Sequence, residues 1–202
     1  MPIPLARRRL LLAAPALLLA RPVWAAETPT PRATEGPFYP RTLPADQDND
    51  LVAVAGAIRK AGGDLLTLTG RVLDRNAKPI AGARVEIWQC DLNGIYLHPG
   101  DRRAGERDTG FQGFGHAIAD ADGQFGFRTI VPVPYTGRTP HIHMKVKQNG
   151  RELLTTQFYR ADFAQNASDG IFSRLSDAEQ ARVSMDIKPA AGGFAAAINV
   201  VV

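Results

Sequence analysis

The chain has 202 residues, enough for one ordinary domain with a real core, and a formal net charge of +4. Arg7, Arg8, Arg9 and Arg21 all fall in the first 25 residues, and without them 20 basic residues face 20 acidic ones. That balance removes the basic field expected of a nucleic-acid or anionic-surface binder, and the lone Cys90 rules out an intramolecular disulfide.

Residues 1–25 read as a signal peptide. Arg7-Arg8-Arg9 is a basic start, Leu10 to Ala20 an apolar stretch, and Val23-Trp24-Ala25 a small-residue cleavage site, with no membrane span expected in the mature form. Residues 26–50, rich in Pro, Thr and Asp without periodicity, predict an extended N-terminal arm that can wrap onto the core. Residues 51–202 then carry short apolar runs separated by turn residues, and predict strands over 65–73, 83–90, 115–119, 124–130, 142–148, 152–159 and 195–202. Asp122-Gly123 and Asn149-Gly150 are hairpin turns by composition. Ser176-Asp177-Ala178-Glu179 has the capping-box form and opens a short helix to about Val183. The fold expected is all-β: a β-sandwich core of short strands in a single catalytic domain, with the arm and at most one or two short helices.

His141-Ile142-His143 carries the chemistry. Side chains at i and i+2 of a strand share a face, so the two imidazoles can reach one metal ion while Ile142, Met144 and Val146 point into the core. A tri-histidine zinc site needs His98 or His116 as well, and a ferrous facial triad needs a nearby carboxylate, which the motif lacks. Tyr96 and Tyr135 sit in glycine and proline contexts where packing is the ordinary role of a tyrosine. As ligands they demand a strongly Lewis-acidic ion, because a free phenol ionises only near pH 10. Cys90, Trp88, His98 and His116 read as structural or pocket-rim residues, and Asn166-Ala167-Ser168 matches a glycosylation pattern too short to carry weight.

Several blocks resemble the intradiol ring-cleavage dioxygenases: Thr34-Glu35-Gly36-Pro37-Phe38-Tyr39-Pro40, Gly94-Ile95-Tyr96-Leu97-His98, the run from Asp120 to Ile130, Pro132-Val133-Pro134-Tyr135, Arg138-Thr139-Pro140-His141-Ile142-His143 and Thr156-Gln157-Phe158-Tyr159. They stand in family order over nearly all the chain after residue 33. The resemblance implies one Fe(III) held by Tyr96, Tyr135, His141 and His143, with Tyr135 and His143 axial. It further implies that Tyr135 serves as a base, that Arg138 stabilises charge on the ring and that Gln157 lies beside the metal-bound oxygen. The reaction implied uses a catechol-type aromatic substrate and O2, inserts both oxygen atoms and yields a cis,cis-muconate-type diacid. An oligomer of unspecified size is expected. The layout resembles one subunit of a protocatechuate 3,4-dioxygenase, but the Tyr135–His141 connection is short, so its carboxylate-recognition elements are not all visible.

Two other classes compete. Leu68 to Ile87 also resembles exported transthyretin-like β-sandwich modules, which bind rather than catalyse, and His-x-His alone also suits a zinc hydrolase. Export, to the bacterial periplasm, is expected from the leader, and its paired arginines have the form of a twin-arginine signal. Replacing Arg7, Arg8 and Arg9 by Lys keeps the charge but removes that form. The expected outcome is an unprocessed cytoplasmic precursor on cell fractionation, whereas normal processing and export would assign the general secretory route.

Overall fold

Period-2 patterning of Val, Ile, Leu and Phe builds two sheets that bury their apolar faces against each other. The computed structural model describes residues 27–202 apart from 102, 104 and 105. The expected leader, residues 1–25, lies outside the described residues. Among the described residues nine strands form: β1 Leu65–Leu73, β2 Arg84–Trp88, β3 Phe114–Ile118, β4 Gln124–Ile130, β5 His141–Gln148, β6 Arg151–Arg160, β7 Ser184–Met185, β8 Lys188–Ala190 and β9 Gly193–Val201. One sheet runs β4-β1-β9-β8 and the other β3-β2-β5-β6-β7. Pairing is antiparallel except for β1 with β9 and β6 with β7.

The expected strands form within a residue or two at each end, with Gln89 and Cys90 leaving β2 after Trp88. The two short strands β7 and β8 carry too little pattern to be read in advance. Helix α1, Asp177–Val183, starts at Ser176 with both halves of the capping box made. Two 3-10 turns, Ala164–Ser168 and Phe172–Arg174, precede it. Asn149 and Gly150, at φ 51° and 77°, make the predicted hairpin between β5 and β6.

The core lies between the sheets. Leu66, Leu68, Phe125, Phe127, Ile198 and Val200 meet Val85, Ile87, Ile142, Met144, Val146, Leu154 and Phe158. On β5 this leaves His141, His143 and Lys145 on the outer face, yet all three are buried. The arm is the reason. Ala33 N donates to Thr155 O on β6, and the Lys145 ammonium pairs with Glu35 while lying 4.2 Å above the Tyr39 ring. The Tyr39 hydroxyl donates to Glu86 at 2.9 Å. Further on, Asn49 O accepts from Arg128 N and Asp50 bridges to Arg128, which protects the β4 edge.

Met144 is fully buried among both sheets. Met144→Ala is expected to cost about 2–5 kcal/mol, from lost burial plus the cavity left behind. The urea midpoint should shift with an unchanged slope, and a loss within about 0.5 kcal/mol would mean that the site collapses freely.

Candidate metal centre

Register sets the site before any loop is considered. His143 on β5 pairs with Trp88 on β2 and Gln157 on β6, while His141 pairs with Tyr159. Trp88, His143 and Gln157 therefore form one cross-strand row on the outer face, with His141 and Tyr159 one row along. The two imidazoles converge, their Nε2 atoms 3.2 Å apart. His141 Nδ1 meets Thr139 O at 2.6 Å, which makes Nδ1 the protonated nitrogen and leaves Nε2 free as a donor of electrons.

Two loops add the phenols. After β2, Asp91 turns the chain by accepting from Asn93 N at 2.9 Å and Ile95 N at 3.0 Å, and Asp101 accepts from Tyr96 N at 3.0 Å. Gly94, at φ 72°, lets this loop approach the next: a Cβ there would lie 3.1 Å from Pro134 O and 3.4 Å from Tyr135 Cβ. The rings of Tyr96 and Tyr135 then stand edge to face at 5.2 Å, Tyr135 is 5.6 Å from His141, and Tyr96 is 6.0 Å from His143. Tyr96, Tyr135, His141 and His143 thus come together from three separate segments. Arg138 and Gln157 join them: Arg138 Nη2 donates to Gln157 Oε1 at 2.7 Å, and Arg138 Nη1 lies 3.5 Å from the Tyr135 oxygen.

The walls are aromatic and come partly from the arm. Trp88 stacks on His143 at 4.8 Å and 12°, and Phe38 stacks on Tyr96 at 4.6 Å and 17°. Gly36, at φ 72°, is pressed so close that a Cβ would sit 3.3 Å from His143 Cε1. Gln157 Nε2 donates to Thr34 O at 2.9 Å. On the open side a cavity of about 480 Å³ is lined by Pro134, Tyr135, Arg138, Thr139, Phe163 and Asp169, among others.

The electrostatics are those of ligands kept uncharged. Burial pushes His141 down to about 4, with the Arg138 charge adding to it, and pushes His143 well below its ordinary value. Burial raises Tyr96 far above the ordinary phenol value, and raises Tyr135 against the opposing pull of Arg138. The Tyr96 hydroxyl and His143 Nδ1 are buried without a hydrogen-bond partner. A buried hydroxyl left unpaired costs roughly 1–3 kcal/mol, so the cluster fits a metal that takes the phenol oxygens and the Nε2 atoms better than it fits a packed core. Among the described residues no three His, Cys, Asp or Glu side chains gather to hold a metal. His116 Nδ1 is tied to Gln47 O and His98 Nδ1 to Gly100 N, outside this set.

The sequence pattern of a family described as Dioxygenase matches residues 34–185, three quarters of the chain. The chain belongs to the intradiol ring-cleavage dioxygenases. The protocatechuate 3,4-dioxygenase beta chain of Burkholderia cepacia is 32% identical over 67% of this chain and 61% of that protein. Catechol 1,2-dioxygenase of Acinetobacter baylyi is 30% identical over 72% of this chain and 53% of that one. The chain thus spans only part of the length of the curated relatives it matches. The dioxygenase domain of a carbohydrate-binding fusion protein from Streptomyces sp. SirexAA-E shares 33% identity at TM-score 0.66, covering 87% of this chain and 98% of that one. The intradiol ring-cleavage dioxygenase of Tetranychus urticae, 24% identical at TM-score 0.68, covers 86% and 94% and shares the fold.

The stretch from Leu68 to Ile87 lies within the residues that match the family and contributes β1 and β2 to the two sheets. Sequence reasoning placed Trp88 as a structural or pocket-rim residue, where it stands against His143, and missed the positions of Phe38, Tyr159 and Asp169 beside the cluster. Tyr159 had a signal, its i+2 spacing from Gln157, and its hydroxyl donates to Gln157 Oε1 at 2.8 Å. Asp169 had none. Asn166 of the glycosylation pattern is buried, bonded to Thr139 and Arg160 O, and so closed to modification.

The depressed histidines give a pH dependence to the metal-free protein. The unfolded chain takes up a proton near 6.5 and folded His141 only near 4, so stability is full above pH 6.5 and falls as pH drops between those values. The loss from His141 amounts to about 3 kcal/mol, and His143 acts in the same direction. Urea titrations of metal-free protein above pH 6.5 and near pH 4 check it, and equal midpoints would refute buried neutral imidazoles.

Proposed function

We propose that the chain is a non-haem Fe(III) intradiol dioxygenase that cleaves a catechol-type ring between its two hydroxyl-bearing carbons and inserts both atoms of O2, giving a cis,cis-muconate-type diacid. The observation that carries this reading is the buried cluster of two phenols and two imidazoles with an unpartnered Tyr96 hydroxyl and Nε2 atoms 3.2 Å apart. Two phenolates and two neutral imidazoles form a hard set whose charge suits a trivalent ion, and the family works with non-haem iron. When bound, Fe(III) supplies Lewis acidity, which lowers the pKa of the phenols and makes a chelated diol reactive toward dioxygen.

Each side chain then has a role that follows from its chemistry. His141 and His143 hold the ion through Nε2, and the Thr139 carbonyl fixes the His141 tautomer. Tyr96, sealed between Phe38 and Tyr135, would be a further ligand to the ion. Tyr135 borders the cavity, and its oxygen takes a proton from a catechol hydroxyl as substrate enters. Arg138, always charged, offsets the negative charge of the deprotonated diol and of the ring as it reacts. Gln157 holds Arg138 from behind, with its amide anchored to the arm. Trp88, Phe38 and Gly36 exclude water from the far side. The reading includes export, so that the reaction runs outside the cytoplasm.

Purified protein is expected to hold one iron per chain and to show a visible tyrosinate-to-iron band. Oxygen uptake with catechol should consume one O2 per ring, with both labelled atoms of 18O2 recovered in the product. His141→Ala should lose iron and colour together, and Tyr135→Phe should keep some iron while losing most turnover. Arg138→Ala should keep colour and lose about 10²–10³ in kcat. Stoichiometric zinc without a visible band would overturn the assignment.

A further inference from the structure

Arg138 is governed by a residue that belongs to none of the blocks carrying the family resemblance. Asp169 follows the 3-10 turn Ala164–Ser168, and its side chain is 0% exposed. Its Oδ2 accepts from Arg138 Nε at 2.8 Å and from Thr139 N at 3.1 Å, and its Oδ1 accepts from Ile171 N and Phe172 N, both at 2.9 Å. Four donors fix the plane of the carboxylate. The consequence is a fixed guanidinium, because that group is planar and two of its nitrogens are now held, Nε by Asp169 and Nη2 by Gln157 at 2.7 Å. The third nitrogen, Nη1, has no freedom left and faces the Tyr135 oxygen at 3.5 Å. Without this clamp an arginine on a loop samples many rotamers, and its charge is smeared over the cavity.

We propose that Asp169 is a positioning residue of the ring-cleavage reaction: it acts through Arg138, aiming Nη1 at the space beside Tyr135 where substrate charge develops. This rests on the reading of Arg138 as the group that stabilises that charge. The carboxylate also stays ionised when buried. Burial alone would raise it, but the Arg138 bond and the N–H groups of Phe172, Thr139 and Ile171 outweigh burial and hold it at about 2. The same pairing ties the cavity wall to the site, since Asp169, Arg138 and Tyr135 all line the open side.

A purely structural ion pair would show itself in melting temperature and iron retention, with turnover lost by the same factor whether or not Arg138 is present. A positioning residue behaves otherwise. The test is a double-mutant cycle in iron-loaded protein: Asp169→Asn and Asp169→Glu, each alone and with Arg138→Ala, followed by oxygen uptake on catechol, iron content and the visible band. The single variants are expected to keep iron and band, to lose about 10²-fold in kcat and to move KM by less than about threefold. In the Arg138→Ala background the same changes should cost less than about twofold.

Wild-type kcat in either single variant, or an equal loss in both backgrounds, would overturn the proposal. Should Asp169→Asn fail to fold, Asp169→Glu carries the cycle alone, because it keeps the charge and displaces it by one methylene. A readout independent of turnover is the Arg138 Nε–H proton in protein loaded with diamagnetic gallium(III). It should exchange slowly in wild type and rapidly in both Asp169 variants, and rapid exchange in wild type would also overturn the proposal. An inactive, colourless wild-type protein would instead refute the iron dioxygenase reading itself.

Discussion

Strand β5 has to serve two interiors at once, and the rest of the molecule follows from that demand. A strand presents alternate side chains to opposite faces. Ile142, Met144 and Val146 therefore enter the sandwich core, and His141, His143 and Lys145 emerge on the far side of the same sheet. Left in water, the two imidazoles on that outer face would charge as the pH falls through about 6.5. The face becomes an interior because the arm, the loop carrying Tyr96 and the loop carrying Tyr135 and Arg138 close over it. The arm contributes most at the centre, with Gly36 against His143 and Phe38 against Tyr96.

This second interior is small, polar and aromatic, and its polar groups do not all satisfy one another. Most do: Gln157 joins Arg138, Tyr159 and the Thr34 carbonyl, and Asp169 joins Arg138 to three backbone N–H groups. Among the described residues seven buried side-chain atoms lack a partner, and three of them, the Tyr96 hydroxyl, His143 Nδ1 and Trp88 Nε1, lie at or beside the proposed ligand set. Unpaired buried groups are expensive, so each of these three is a cost that a well-packed core would avoid. Farther along the same face, Glu86 is met by Arg84, Lys147 and Tyr39 and held below its ordinary carboxylate value although buried, which anchors the arm without touching the site.

Family membership and geometry answer different questions here. The match over residues 34–185 assigns the fold and the general reaction class. It does not choose among ring substituents, since the relatives named include a protocatechuate 3,4-dioxygenase beta chain and a catechol 1,2-dioxygenase. In the proposed reading the cavity beside Tyr135 is where that choice is made. In this chain it is walled by Pro134, Phe163 and the Arg138–Asp169 pair.

Strands β1 to β6 and β9, the Asn149-Gly150 hairpin and the capping box at Ser176 were legible in the sequence. So was the shared face of His141 and His143. These features depend on residues a few positions apart, where period, turn chemistry and capping act directly. The grouping of Tyr96 and Tyr135 with the histidines came only through likeness to a family, since each tyrosine alone reads as a packing residue. The tertiary structure decided the rest. Gln157 meets Thr34 across 123 positions of sequence and Arg138 meets Asp169 across 31, and no local pattern encodes such pairs. Trp88 and Gln157 flank His143 because strand order β2-β5-β6 makes them neighbours, not because of any spacing along the chain. Side-chain periodicity sets which face a residue takes, but only the packing of sheets, arm and loops decides whether that face meets water or becomes a site.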